Sequence, residues 1–173
     1  TFRSIFKYGD PCHFKHPSDA WVKMMKEEFH LSDADFSHKQ DEGHAPVVLN
    51  RPPALKSGHI EALAAIVGKE NVALDDYSRV KYSSAKTSEE ILELRQGIIR
   101  EVSDAVVHPR DKYDVQKIVQ YCDAERIPIT VFSGGSSCNF GCRPFKGGVS
   151  LVLSTHMNKL LEVSELKDRK RVV

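Results

Sequence analysis

The stretch I-P-I-T-V-F-S-G-G-S-S-C-N-F-G-C-R-P-F-K-G-G-V-S-L-V-L, residues 127–153, sets two short apolar runs around a loop of small and polar residues. Both runs are rich in β-branched and aromatic side chains and are sharply bounded, which predicts buried strands rather than helix. Between them, Gly134 and Gly135 reach backbone angles closed to other residues and leave no side chain to keep an anion away. Ser133, Ser136 and Ser137 add hydroxyl donors. Consecutive backbone N–H groups in such a turn form a concave nest suited to phosphate oxygens. The same composition also suits a plain surface turn, because glycine is the default residue there.

The flanks bear on that choice. Residues 104–108 form another short apolar run, and Pro109 and Asp111 stand where a following helix would begin. From Tyr113 onward, Val115, Ile118, Val119 and Cys122 recur at helical spacing, with Asp123, Glu125 and Arg126 on the other side. Strand, helix, strand is the βαβ unit, in which the helix returns the chain to a parallel neighbouring strand. Its ligands sit beyond the carboxyl ends of the strands, where the loop from Ser133 to Gly141 emerges.

Four segments carry a family resemblance: V-V-H-P-R-D from Val106, A-E-R-I-P-I ending at Ile129, the loop S-G-G-S-S-C-N-F-G, and S-T-H-M-N-K-L-L-E-V from Ser154. In this order and spacing they resemble the FAD-linked oxidases of the vanillyl-alcohol oxidase superfamily, which share the p-cresol methylhydroxylase (PCMH-type) FAD-binding fold. The likeness is greatest to the alkylglycerone-phosphate synthase branch, and L-E-L-R-Q-G from Leu92 looks like the short helix before its FAD domain. Ser133 stands where a glycine is usual and Ser136 where a threonine is usual; Phe132 takes a place that is arginine in many relatives, and Ser154 one that is often aspartate.

The resemblance implies an α+β chain: a helical segment over residues 1–103, then the first lobe of the FAD-binding domain over residues 104–173, a small parallel βαβ sheet with flanking helices, as a fragment of a longer protein. It implies FAD held by its pyrophosphate at Val131, Phe132, Ser133, Gly134, Gly135, Ser136, Ser137 and Gly141. It implies non-covalent attachment, since some relatives bond flavin through a histidine where this chain has Ser136, a poor nucleophile without an adjacent base. Catalytic residues are expected downstream of Val173. The reaction stays open between alkylglycerone-phosphate synthesis and FAD-linked oxidation of 2-hydroxy acids such as lactate or glycolate, on a small-molecule substrate and with a homodimer allowed. A non-catalytic phosphate- or partner-binding module on the same scaffold is the reading from another class.

The rest of the chain sets limits. Its 173 residues are 40% hydrophobic and 28% charged, with a formal net charge of +1, which favours a folded chain and does not suggest a polyanion partner. No apolar run approaches the roughly 20 residues that span a bilayer, and the first residues lack a signal-peptide core. The expected location is cytoplasmic, or peroxisomal for a eukaryotic synthase. Cys12, Cys122, Cys138 and Cys142 are expected reduced, Cys122 in the core. Cys138 with Cys142, and Cys12 with His13 and His16, invite a metal reading, but no second ligand pair of matching spacing accompanies the first, and no metal is expected. Histidines 108 and 156 are read as structural or surface residues. A helix from Ser18 carries Trp21, Val22, Met25 and Phe29 as a stripe expected in the core. Two further helices are expected, over residues 57–67 closed by Gly68 and over residues 88–97 capped by Thr87 or Ser88. Lys167, Arg169, Lys170 and Arg171, interrupted by Asp168, read as a solvated hairpin turn. Without a lysine after Gly134 and Gly135, the loop does not fit a P-loop ATPase.

Overall fold

The computed structural model describes residue 5 and residues 18–37, 45–85, 87–166 and 169–172, the last residues from 164 onward by backbone alone. Cys12, His13 and His16, and Lys167 and Asp168, lie outside the described residues. The chain groups into two units, Thr1–Pro46 and Val47–Val173.

In the first unit, helix α1 (Asp19–Phe29) starts where its cap predicts: the Ser18 hydroxyl accepts the Trp21 N–H at 3.3 Å. It ends at His30 in the left-handed region, φ 55°. A four-residue helix α2 (Asp33–Phe36) follows, opened by a capping box between Ser32 and Asp35. The stripe expected in the core is not buried. No residue of α1 is buried, and Trp21 and Phe29 are 46% and 63% exposed. Helical spacing gathers apolar residues on one side but does not supply a surface to cover them.

The second unit is a four-stranded sheet in the order β1-β2-β4-β3, with β1 (Val72–Ala73), β2 (Ala105–Val107), β3 (Ile129–Phe132) and β4 (Val149–Val152). β1 runs antiparallel to β2, while β2, β4 and β3 are parallel. The helix that joins β2 to β3 is α6 (Lys112–Ala124), capped by Asp111, whose carboxylate accepts the Tyr113 and Asp114 N–H groups. It does not return the chain to the strand beside β2. The later strand β4 fills that place, because all four of its residues are buried, whereas Val131 of β3 is 51% exposed and suits an edge.

Alternation along the strands builds two cores. On one face Val107, Val149 and Leu151 meet Leu63 and Val67 of α3 (Ser57–Val67) and Ile118 and Cys122 of α6. The cross-helix pair Tyr121 hydroxyl and His59 Nδ1, 2.8 Å apart, and the Arg110 guanidinium, bonded to Asp114 and to the Ile66 carbonyl, tie α6 to α3. On the other face Val106, Phe132 and Val152 pack with Ala85 and Cys142. Tyr82 lies against that second core, and Cys142 reaches it from the connection over residues 133–148.

Of two further short helices one matches an expectation and the other does not. α5 (Ser88–Arg95) begins with a full capping box between Thr87 and Glu90. α4 (Asp76–Lys81) has no apolar stripe: its buried residues are Arg79 and Val80, and Arg79 is satisfied by the carbonyls of Ser103 and Arg51, each at 2.9 Å. Asp104 accepts the Gly148 and Ala54 N–H groups and so joins the amino ends of β2 and β4 to residue 54. A hairpin is present, β5 (Val163–Leu166) antiparallel to β6 (Arg169–Val172), but Arg169, Lys170 and Arg171, expected in its turn, belong to the strand β6. No described helix is long and apolar enough to cross a membrane.

Leu63 is fully buried between the sheet and α6, so Leu63→Ala should lower unfolding stability in urea by about 2–5 kcal/mol. Val119→Ala, on the same helical layer but 46% exposed, should change it by no more than about 0.5 kcal/mol.

Candidate anion-binding site at the carboxyl end of the sheet

Because β2, β3 and β4 are parallel, the segments after Val107, Phe132 and Val152 leave the sheet at one end. Two of them are joined there: His108 Nδ1 and Thr155 Oγ1 are 2.7 Å apart. The His108 ring also meets the Tyr82 ring edge-on at 5.4 Å, and Tyr82 in turn meets Phe132 edge-on at 5.0 Å. Burial, with the nearby charges of His156 and Lys81, holds the His108 imidazole below its ordinary value and so favours its neutral form. His156 is hydrogen-bonded to Asn71 at 2.8 Å, so both histidines have structural partners.

The loop after β3 is shaped by its first buried residue. Phe132 turns into the second core, and its ring lies where a side chain on Gly135 would fall. Gly135 is buried and left-handed, φ 64°, so both space and backbone angle require glycine there. Gly134 differs: a side chain there would meet open space, with only Ser136 Oγ near at 3.8 Å. Ser133, Gly134 and Ser136 are exposed. Among the described residues, the N–H groups of Ser133, Gly134, Gly135 and Ser136 meet no acceptor in the chain.

Ser137 has another task. Its hydroxyl donates to Asn139 Oδ1 at 2.6 Å and accepts the Gly141 N–H at 3.0 Å, which explains why a side chain at Gly141 would collide with Ser137 Oγ. Of the expected contact residues, then, Ser133 to Ser136 present free donors, Ser137 and Gly141 shape the loop, Phe132 anchors it, and Val131 lies half-exposed on the edge strand.

The two loop cysteines part company. Cys138 is exposed, whereas Cys142 is buried beneath the loop, its thiol pushed up by burial and by Glu90 and partly held back by the Ser137 N–H. Cys122, wholly buried in the first core, is pushed up to about 11 by burial. Glu90 Oε2 accepts the Thr87 and Ala85 N–H groups, and its Oε1 is buried without a partner. Among the described residues no cluster of three or more histidine, cysteine or carboxylate side chains is placed to hold a metal ion.

One residue that the sequence reading passed over lies at the far side of the loop. Arg143, whose side chain is 11% exposed, is 2.6 Å from Glu101 and 3.5 Å from Glu93 of α5. Its partners are 42 and 50 residues away in sequence, so no local pattern signals it.

Four free N–H groups around a glycine with open space before it fit the phosphate oxygens of a dinucleotide. Residues 103–173 match the family model described as FAD binding domain. The chain is 24% identical to an alkyldihydroxyacetonephosphate synthase of Trypanosoma brucei brucei over 131 residues, covering 74% of this chain and 21% of that one. It is 30% identical to a glycolate oxidase subunit of Bacillus subtilis (strain 168) over 105 residues, covering 61% of this chain and 20% of that one. A solved alkyldihydroxyacetonephosphate synthase superposes with a TM-score of 0.68 at 22% identity, over 83% of this chain and 28% of that one. The chain thus spans about a fifth of the length of these curated relatives. With a parallel sheet of the expected kind and a glycine loop at its carboxyl end, the chain has the PCMH-type FAD-binding fold, its residues 103–173 match the FAD binding domain, and its homologues include an alkyldihydroxyacetonephosphate synthase and a glycolate oxidase subunit.

Proposed function

We propose that the loop from Ser133 to Ser136 binds the pyrophosphate of FAD without a covalent bond, in an enzyme that is an oxidoreductase or an alkylglycerone-phosphate synthase-like transferase acting on a small molecule. The observation that carries this reading is the row of four N–H groups without acceptors, beside a glycine whose missing side chain leaves open space. Hydrogen bonds to a charged phosphate contribute roughly 1.5–3 kcal/mol each, so three or four anchor the diphosphate. The Ser136 hydroxyl is exposed and adds a donor, while Ser137 holds the loop's shape. FAD supplies the electron-accepting ring chemistry; this chain supplies binding and orientation. Oxidation of a 2-hydroxy acid is the second reading, favoured by the higher identity, 30% against 24%, to the glycolate oxidase subunit than to the synthase.

The full-length protein should purify yellow or be reconstituted by FAD, and acid precipitation should leave the flavin in the supernatant. A protein without flavin absorbance that cannot be reconstituted would leave only the binding-module reading. Flavin retained on a peptide with Ser136, Cys138 or Cys142 would overturn the non-covalent assignment.

Gly134 and Gly135 should separate binding from folding. Gly134→Val places its side chain in open space and should leave the thermal midpoint within a few degrees of the parent while weakening FAD at least tenfold. Gly135→Val meets the Phe132 ring from a left-handed backbone and should lower both stability and FAD occupancy. Wild-type FAD affinity in Gly134→Val would show that this side of the loop is not the diphosphate site.

A further inference from the structure

We infer that Arg143 is the positioning residue of the Ser133 to Gly141 loop, a role that rests on the FAD-binding reading for its effect on cofactor but not for its effect on the loop. Its guanidinium is held from four sides. Nε is 2.6 Å from Glu101 and Nη2 3.5 Å from Glu93, on a side chain only 11% exposed. The ring of Phe140 lies 5.2 Å from the guanidinium carbon and that of Phe145 5.7 Å. Glu93 is itself paired with Arg100, so the loop is tied to a network that spans α5 and the segment leading into β2.

The position of this network matters more than its strength. Phe140 is in the left-handed region, φ 59°, which a bulky residue adopts only when its surroundings enforce it. The Arg143 N–H donates to the Phe140 carbonyl at 2.9 Å while its side chain lies against the Phe140 ring, so one residue fixes the bend twice. The next residue back, Cys142, is 6% exposed and forms part of the core beneath the loop with Phe132. Phe132 anchors the near end of the loop and Arg143 the far end. The free N–H groups lie between the two anchors. A planar fork is needed to reach two carboxylates and stack between two rings, so lysine does not replace arginine here.

The test uses the full-length protein carrying Cys12→Ser and Cys138→Ser, with Arg143→Met, Arg143→Lys and, as a control in the opposite core, Leu63→Ala. Two quantities are measured: the rate at which Cys142 reacts with a thiol reagent in the apoprotein, followed by peptide mapping, and the dissociation constant for FAD. Arg143→Met should raise both at least tenfold, Arg143→Lys should raise both by a smaller factor, and Leu63→Ala should leave both within twofold of the parent. If Arg143→Met does not fold, Glu101→Gln, which removes the nearer carboxylate, should raise both in the same way. Unchanged Cys142 reactivity in the arginine or Glu101 variants, or equal changes in Leu63→Ala, would overturn the inference. If Cys142 becomes reactive but the parent itself binds no FAD, the positioning role stands and the FAD reading falls. If FAD binds the parent and Arg143→Met equally well, the FAD reading stands and the positioning role falls.

Discussion

The parallel pairing of β4 with both β2 and β3 is the constraint from which the site follows. It obliges the chain to leave the carboxyl end of β3 and re-enter at the amino end of β4, and residues 133–148 make that journey without a helix. A helical crossover would consume its N–H groups in its own turns. An irregular one leaves them to be satisfied by side chains, water or a ligand. The same crossover also helps to close the second face of the sheet, where Cys142 joins the core of Val106, Phe132 and Val152. The proposed cofactor contact and a share of core closure thus fall to one segment.

Those two demands explain the distribution of residue types along it. Where the segment closes the core it uses Phe132 and Cys142, both buried. Where it turns against that core it uses glycine, because at Gly135 the Phe132 ring occupies the space of a side chain. Where it faces outward it uses Ser133, Gly134 and Ser136, small enough to let an anion approach the backbone. Ser137, which looks interchangeable with Ser136 in sequence, is spent on Asn139 and Gly141. Adjacent serines therefore carry different duties that only the hydrogen bonds reveal.

Local signals were legible in the sequence and long-range ones were not. The Ser18 cap, the Thr87–Glu90 box and the Gly68 terminus each act within a few residues, and each helix begins or ends where its signal stands. The two parallel strands and the loop between them were equally plain from their composition. Strand order was not, because β4 takes its place between β2 and β3 by pairing across 44 and 20 residues of sequence. Helix α4 escaped notice because a buried arginine, held by two backbone carbonyls, replaces the apolar face that periodicity detects. The α1 stripe failed the opposite way: its periodicity was right, yet none of its residues is buried.

The composition of the loop also bears on the proposed recognition of a diphosphate. Between Ser133 and Cys142 no side chain is charged, and the cation nearest in sequence, Arg143, has its guanidinium engaged by Glu93 and Glu101. Under the proposed function the loop itself attracts a diphosphate through N–H dipoles, whose effect falls away faster with distance than that of a full charge. Such a site depends on backbone placement to within a fraction of an ångström, as preorganised donor sites do. Precision in turn requires both ends of the loop to be fixed to rigid elements. Phe132 fixes one end in the second core, and the tie from Arg143 to α5 meets the requirement at the other, so a partly buried ion-pair network belongs beside a loop that carries no charge of its own.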